Sequence, residues 1–243
     1  PNISKEKLIN ILFPLPPLSE QHRIVEKIEE LLVLVDDLET NKTNLQSYIK
    51  QAKTKVLEMA VRGELVPQNS DDEPASVLLE RIKKEKPSQK SKGKTTEHNT
   101  HYEEELPFDI PENWAWCRLG EIGNWSAGST PSRKEIKYYQ KGIIPWLKTG
   151  DLNDSFINET SEFITELAIE ENTLRLNPIG SVLIAMYGAT IGKLGLLNIE
   201  ATTNQACCAC IPFSGINNRF LFFYLLSQKQ NIQEKAEGGA QPN

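Results

Sequence analysis

LSEQHRIVEKIEELLVLVDDLETNKTNLQSYIKQAKTKVLEMAVR, residues 18–62, is the stretch from which the fold is read. Apolar residues recur at Ile24, Ile28, Leu31, Val35 and Leu38, then at Leu45, Ile49, Ala52, Val56 and Met59 or Ala60. Steps of three and four place them on one stripe of an α-helix. Ser19, after Pro16 and Pro17, is expected to cap the first amides, with Glu20 near the positive helix end. Lys50, Lys53, Lys55 and Arg62 crowd the last turns, and Gly63 followed by Pro67 supplies a stop. At about 1.5 Å per residue, such a run makes a rod of about 65 Å. A stripe this narrow needs a second long helix, from this chain or another. The alternative is a helix hairpin broken near Asn41-Lys42-Thr43-Asn44, where the stripe weakens.

Outward from this helix, composition bounds the rest. With 39% hydrophobic and 25% charged residues among 243, the chain reads as a soluble globular protein with a real core. No apolar run is long enough for a membrane span, and the expected location is the cytoplasm. Cys117, Cys207, Cys208 and Cys210 lack a disulfide-scaffold spacing and read as reduced thiols. A net charge of −6 does not advertise a nucleic-acid binder, but phosphate contacts depend on where cations cluster.

The expected organisation runs in four parts. Residues 1–66 hold a Pro-rich entry and the long helix. Residues 67–105 hold a shorter helix, from about Ala75 to Lys86, and a polar linker. Residues 106–216 form a globular domain, and residues 217–243 its terminal helix and tail. Within the domain, Ile143 to Leu147, Ser181 to Met186 and Ala206 to Ile211 read as short strands between Gly and Pro turns. One helix is expected over Glu166 to Asn172. A second runs from Asn217 to about Ala236, with Phe220, Phe223, Tyr224 and Ile232 on its apolar side. The fold class is α+β: one domain of short strands and helices plus a long coiled-coil-type helix that pairs antiparallel.

Four motifs fail as chemistry. Gly188 to Lys193 has the outline of a phosphate loop, but it has one residue too few between its glycines and Leu194 where Ser or Thr belongs. Asn177-Pro178-Ile179-Gly180 lacks the second Pro and the aromatic residue of an amino-methyltransferase site. Cys207-Cys208-Ala209-Cys210 lacks zinc spacing and reads as small buried residues of a strand. His98 and His101 sit in the polar linker without preorganised neighbours. No catalytic residue and no metal site is expected.

What remains is a set of polar loops with DNA-suited side chains. They carry Ser129, Thr130, Ser132, Arg133 and Lys134; Lys148 and Thr149; Tyr187, Thr190 and Lys193; and Asn204 and Gln205. Arg and Lys neutralise phosphates or fork onto guanine, and Asn and Gln pair with adenine.

At these residues the sequence resembles the specificity (S) subunits of type I restriction–modification systems. Four pieces carry the resemblance: Leu15 to Val25; Ile110 to Trp116 with Leu119-Gly120; Gly180 to Lys193; and Thr202 to Ala206. The resemblance implies a non-catalytic DNA-recognition subunit whose recognition domains each read half of a bipartite site, with long helices as the ruler between them. It implies that modification (methyltransferase) subunits dock on the helices, using S-adenosylmethionine, and that a restriction motor subunit uses ATP and Mg. No cofactor is expected in this chain itself. One recognition domain and one long helix correspond to half of the family pattern, either the central portion of a longer subunit or a circularly permuted half. The expected partners are double-stranded DNA, those subunits and a second copy. An antiparallel homodimer would form through Ile24, Ile28, Leu31, Val35, Leu38, Leu45, Ile49 and Val56. The alternative is a protein-interaction module without DNA reading of its own.

Overall fold

The computed structural model describes residues 18–85 and 106–237. The Pro-rich entry, the linker with His98 and His101, and the tail after Glu237 lie outside the described residues. Helix α1 spans Leu18–Val61 without a break. The hairpin alternative is therefore excluded, because residues 41–44 stay helical. The helix opens at Leu18, so Ser19 lies inside its first turn rather than capping it.

The end of α1 follows the sequence closely. The Gly63 amide reaches the Ala60 carbonyl at 3.3 Å and the Glu64 amide reaches Met59 at 2.9 Å. This is a Schellman closure, and it needs the left-handed backbone that Gly63 adopts at φ +75°. Two compact units divide between Lys53 and Thr54, so the last turns of α1 belong with the globular unit.

In the globular unit, helix α2 (Ala75–Glu85) precedes eight short strands. They are β1 (Gly123–Ala127), β2 (Ile144–Leu147), β3 (Ser155–Ile157), β4 (Phe163–Ile164), β5 (Val182–Ala185), β6 (Leu194–Leu197), β7 (Thr202–Thr203) and β8 (Cys207–Pro212). Helix α3 (Glu166–Glu171) follows β4, and α4 (Asn218–Ser227) and α5 (Lys229–Glu237) close the unit. The single terminal helix expected from Asn217 to Ala236 is thus two helices, parted at Gln228.

Five strands form one sheet in the order β1-β8-β5-β6-β3, and three form a second in the order β4-β2-β7. Pairing in the larger sheet is antiparallel except between β3 and β6. Period-two alternation divides its side chains between two cores. Leu183, Ala185, Leu197, Cys207 and Ala209 fill one face with Leu147, Leu152 and Ile157. Val182, Leu194, Leu196 and Cys210 fill the other, covered by Leu221, Phe222 and Leu225 of α4.

That covering corrects part of the expected face of the terminal helix: Tyr224 and Ile232 pack on this core, but Phe220 and Phe223 do not fill it. Phe220 and Phe223 are 48% and 42% exposed, while Leu221, Phe222 and Leu225 are buried. Residues 220–226 are apolar on every side, so the sheet chooses which face goes in. Asn217 caps α4 by accepting hydrogen bonds from the amides of Arg219 (3.0 Å) and Phe220 (3.1 Å).

Among the described residues, no helix is long and apolar enough to cross a membrane. Cys207 and Cys210 lie in opposite core layers, so these strand cysteines do not converge on a common point.

Candidate nucleic-acid interface

The candidate loops gather at one end of the two sheets, and strand register shows why. Strand β1 ends at Ala127 opposite Cys208, β5 ends at Ala185 opposite Cys207, and β8 begins at Cys207. The segments 128–134, 186–193 and 204–206 therefore leave from the same edge. Strand β2 runs parallel to β7, Leu147 against Thr203, which brings Lys148 and Thr149 to that edge as well.

Backbone bonds lock these segments together. The Gly128 amide donates to the Cys207 carbonyl at 3.1 Å and the Ser129 amide to Thr203 at 2.9 Å. A Cβ at Gly128 would collide with the Thr203 carbonyl oxygen, so this approach requires glycine. The Asn204 amide donates to Leu147 at 2.9 Å, and the Met186 amide to Ala206 at 2.9 Å. The Thr130 hydroxyl donates to the Gln205 side-chain carbonyl, joining two of the candidate side chains directly.

Arg133 lies at the centre of the cluster. Its guanidinium carbon sits 4.6 Å from the Tyr139 ring centroid and 4.8 Å from that of Trp146. Those two rings meet edge to face with centroids 6.2 Å apart, so the guanidinium occupies the corner between them. Both rings are tied to the Arg133 loop. The Tyr139 hydroxyl donates to the Pro131 carbonyl at 2.6 Å, and Trp146 Nε1 donates to Ser129 at 3.2 Å.

Glu162 binds both cations of the cluster. Arg133 Nη2 is 2.6 Å from Glu162 Oε2, and Lys148 Nζ pairs with Oε1. These partners, Lys148 foremost, hold the Glu162 carboxyl below the usual carboxylate range against the opposing effect of burial. Arg133 and Lys148 are therefore not free surface cations, as a loop reading alone suggests. Their side chains remain 53% and 38% exposed, and Glu162 only 26%.

The other candidate residues are distributed less tightly. Ser132 and Lys134 are exposed on the loop rim, and Thr149 opens a single turn after Lys148. Tyr187 is exposed at the side of the 186–193 loop next to Ala206. Thr190 and Lys193 belong to the opposite side of that loop, which leans on α5 through a 3.0 Å bond from Gln233 to the Ile191 carbonyl. No described hydrogen bond or ion pair joins these two to Arg133.

Sequence reasoning missed Tyr139, Trp146 and Glu162. Trp146 had a signal, since two residues apart on a strand places it on the same face as Lys148. The apolar stripe of α1 is open to solvent at Leu31 (50% exposed), Leu45 (59%), Ile49 and Val56, while Met59 and Ala60 at its end are half-buried. The side chains of Ile24, Ile28, Val35 and Leu38 lie outside the described set.

Comparison with known proteins decides the family. The model of the type I restriction modification DNA specificity domain matches residues 111–243. The chain belongs to that specificity-domain family. Similar members include the EcoR124I/EcoR124II specificity subunit of Escherichia coli, 30% identical over 125 residues, covering 50% of this chain and 31% of that subunit. The EcoBI specificity subunit of Escherichia coli is 32% identical over 211 residues, 84% of this chain and 38% of the relative.

Two solved chains share the fold. A chain from a type I R-M system superposes with TM-score 0.56 at 20% identity, over 96% of this chain and 47% of that one. The HsdS subunit from Thermoanaerobacter tengcongensis gives 0.51 at 20% identity, over 97% and 48%. The α+β class is that of these structures. This specificity-domain chain spans about a third of the curated relatives' length and about half of the solved ones.

Proposed function

We propose that this chain reads one half of a bipartite DNA site for a type I restriction–modification complex. The observation that carries the proposal is the convergence of loops 128–134, 148–149, 186–193 and 204–206 on one sheet end. In this reading Arg133, Lys148, Asn204 and Gln205 face bases, with Ser129, Thr130, Ser132, Lys134, Thr149, Tyr187, Thr190 and Lys193 along the backbone path. The chain contributes recognition in the cytoplasm and not catalysis. S-adenosylmethionine, ATP and Mg belong to its modification and motor partners.

Helix α1 is the proposed docking element for modification subunits and for a second copy. The exposed Leu31, Leu45, Ile49 and Val56 support an antiparallel homodimer, which would present two identical readers to an inverted-repeat site. Sedimentation should give a dimer that Leu31→Glu and Val35→Glu convert to monomer. A monomeric unmodified chain would refute the pairing.

One observation favours a second reading, an interaction module without DNA reading: Glu162 consumes charge from two of the cluster's cations. Co-expression with a modification subunit, followed by mapping of methylated adenines, separates the two. An inverted-repeat bipartite motif supports DNA reading and the homodimer together. An asymmetric motif indicates pairing with a different half. Co-purification without new methylation leaves the interaction module.

A further inference from the structure

We propose that Glu162 is a specificity-determining residue of the DNA-reading end. It holds Arg133 in position to read a base edge, and it cancels one of two charges that would otherwise attract any phosphate. This inference rests on the DNA-reading proposal above.

The first support is the way Arg133 is held. A lysine anchor meets phosphate as a point charge on a flexible stem, whereas reading a base edge needs a guanidinium fork held in a set plane. Arg133 has its plane set by two nearly perpendicular rings and by the carboxylate 2.6 Å from Nη2. Each ring is hydrogen-bonded back to the 129–131 backbone beside Arg133, so ring and guanidinium positions are coupled. Glu162 is fixed in turn, because its carbonyl accepts the Trp146 amide at 3.0 Å. A guanidinium has five N–H donors, and one ion pair leaves others to point at solvent. A fork immobilised before DNA arrives loses less freedom on binding guanine O6 and N7.

The second support is charge. Arg133, Lys148 and Glu162 sum to one positive charge where the two cations alone would give two. Sequence-independent affinity comes from cations that displace counterions from phosphates, so Glu162 lowers that component selectively. In a chain already at −6, a carboxylate placed between two cations of the proposed interface works against general affinity. Its contribution is to discrimination.

The test uses the full chain and a pool of duplexes with a randomised central stretch. Affinity for the bulk pool is measured across salt concentrations, and the bound fraction is sequenced. For Glu162→Gln, pool affinity should rise and the slope of log K against log salt should steepen by about 0.9. Enrichment of the motif selected by the unmodified chain should fall roughly tenfold. Arg133→Lys keeps the charge and removes the fork, so enrichment should fall similarly while slope and pool affinity hold. If Glu162→Gln leaves enrichment and slope unchanged, the inference is wrong. It is also wrong if pool and motif affinities fall by the same factor, as a purely structural role would give. An unmodified chain that binds the pool without enriching any motif, or does not bind, removes the DNA-reading proposal and this inference with it.

Discussion

The two sheets of the globular unit are built on different principles. The five-stranded sheet buries apolar side chains on both faces, with Leu183 and Val182 fully enclosed in opposite layers. The three-stranded sheet mixes the two: Trp146, Leu147 and Ile164 are buried next to the polar Thr202 and Thr203 of β7, and Trp146 stands beside the Arg133–Glu162–Lys148 cluster. Apolar burial on two faces gives the larger sheet its stability, since each enclosed side chain contributes on the order of 1.5–3 kcal/mol. The smaller sheet encloses hydroxyls among its apolar side chains and lies next to the half-exposed Arg133 and Lys148. The unit thereby combines one sheet of purely apolar burial with one of mixed burial.

The largest expected effect tests that division directly. Leu183→Ala should destabilise the unit by about 2–5 kcal/mol in urea denaturation. The whole unit should unfold in one transition, and DNA binding should disappear only where unfolding begins. A loss below about 1 kcal/mol would mean that the larger sheet is not the main source of stability.

The sheets should also fail at opposite ends of the pH scale. In β8, burial pushes the thiols of Cys207 and Cys210 up to about 12. The unfolded chain releases these protons first, so stability should decline as pH rises from about 9, the ordinary thiol range, toward 12. Just before β4 of the smaller sheet, the Glu162 carboxyl is held low, so its contribution is present above the ordinary carboxylate range and lost as pH falls from there through its lowered value. Denaturation midpoints across pH check both limbs. Cys207→Ala should flatten the alkaline limb and leave the acid limb alone, and Glu162→Gln should do the reverse.

A smaller effect distinguishes the buried polar groups themselves. The Thr203 hydroxyl is buried with no hydrogen-bond partner among the described residues. Thr203→Val should therefore be neutral or stabilising by about 1 kcal/mol. A clear destabilisation would reveal a partner for that hydroxyl.

The smallest concerns two non-glycine residues with left-handed backbone, Lys141 at φ 60° and Asp154 at φ 56°. Lys141→Gly should gain about 0.5 kcal/mol by relieving that conformation. Asp154→Gly should lose stability, because Asp154 accepts the Leu194 amide at 3.0 Å and pairs with Lys229. Thermal melts of the two variants should move in opposite directions.

How much of this was legible in the sequence depends on how far apart the deciding residues lie. The helical run of α1 and its stop at Gly63 involve neighbours within five positions, and both appear as read. Two expected strands hold to within one residue at each end, Ser181–Met186 becoming Val182–Ala185 and Ala206–Ile211 becoming Cys207–Pro212, because alternation is also local. The inward face of the terminal helices is half as expected: Tyr224 and Ile232 pack on the core, whereas Leu221, Phe222 and Leu225 take the places expected for Phe220 and Phe223. A helix with Leu221, Phe222, Phe223 and Tyr224 in succession has no polar face, and only packing on β5 and β6 selects one. Glu162 was invisible for a related reason. Its partners lie 29 and 14 residues away, and nothing in a Thr-Ser-Glu-Phe stretch announces them. The loops that converge were recognisable as polar and DNA-suited, but their convergence follows from strand register, which sequence alone did not supply.

The passage from β7 to β8 has a mechanical consequence. Only Asn204, Gln205 and Ala206 separate Thr203 in one sheet from Cys207 in the other. Four peptide steps span at most about 14 Å even at full stretch, which leaves the sheets little room to slide past each other. The amides of Asn204 and Met186 clamp this short bridge from both sides. Side chains mounted on it inherit the positions of two sheets at once. Asn204 and Gln205 thus act as a surveyor's datum, a fixed mark from which the reach of the longer 128–134 and 186–193 loops is measured.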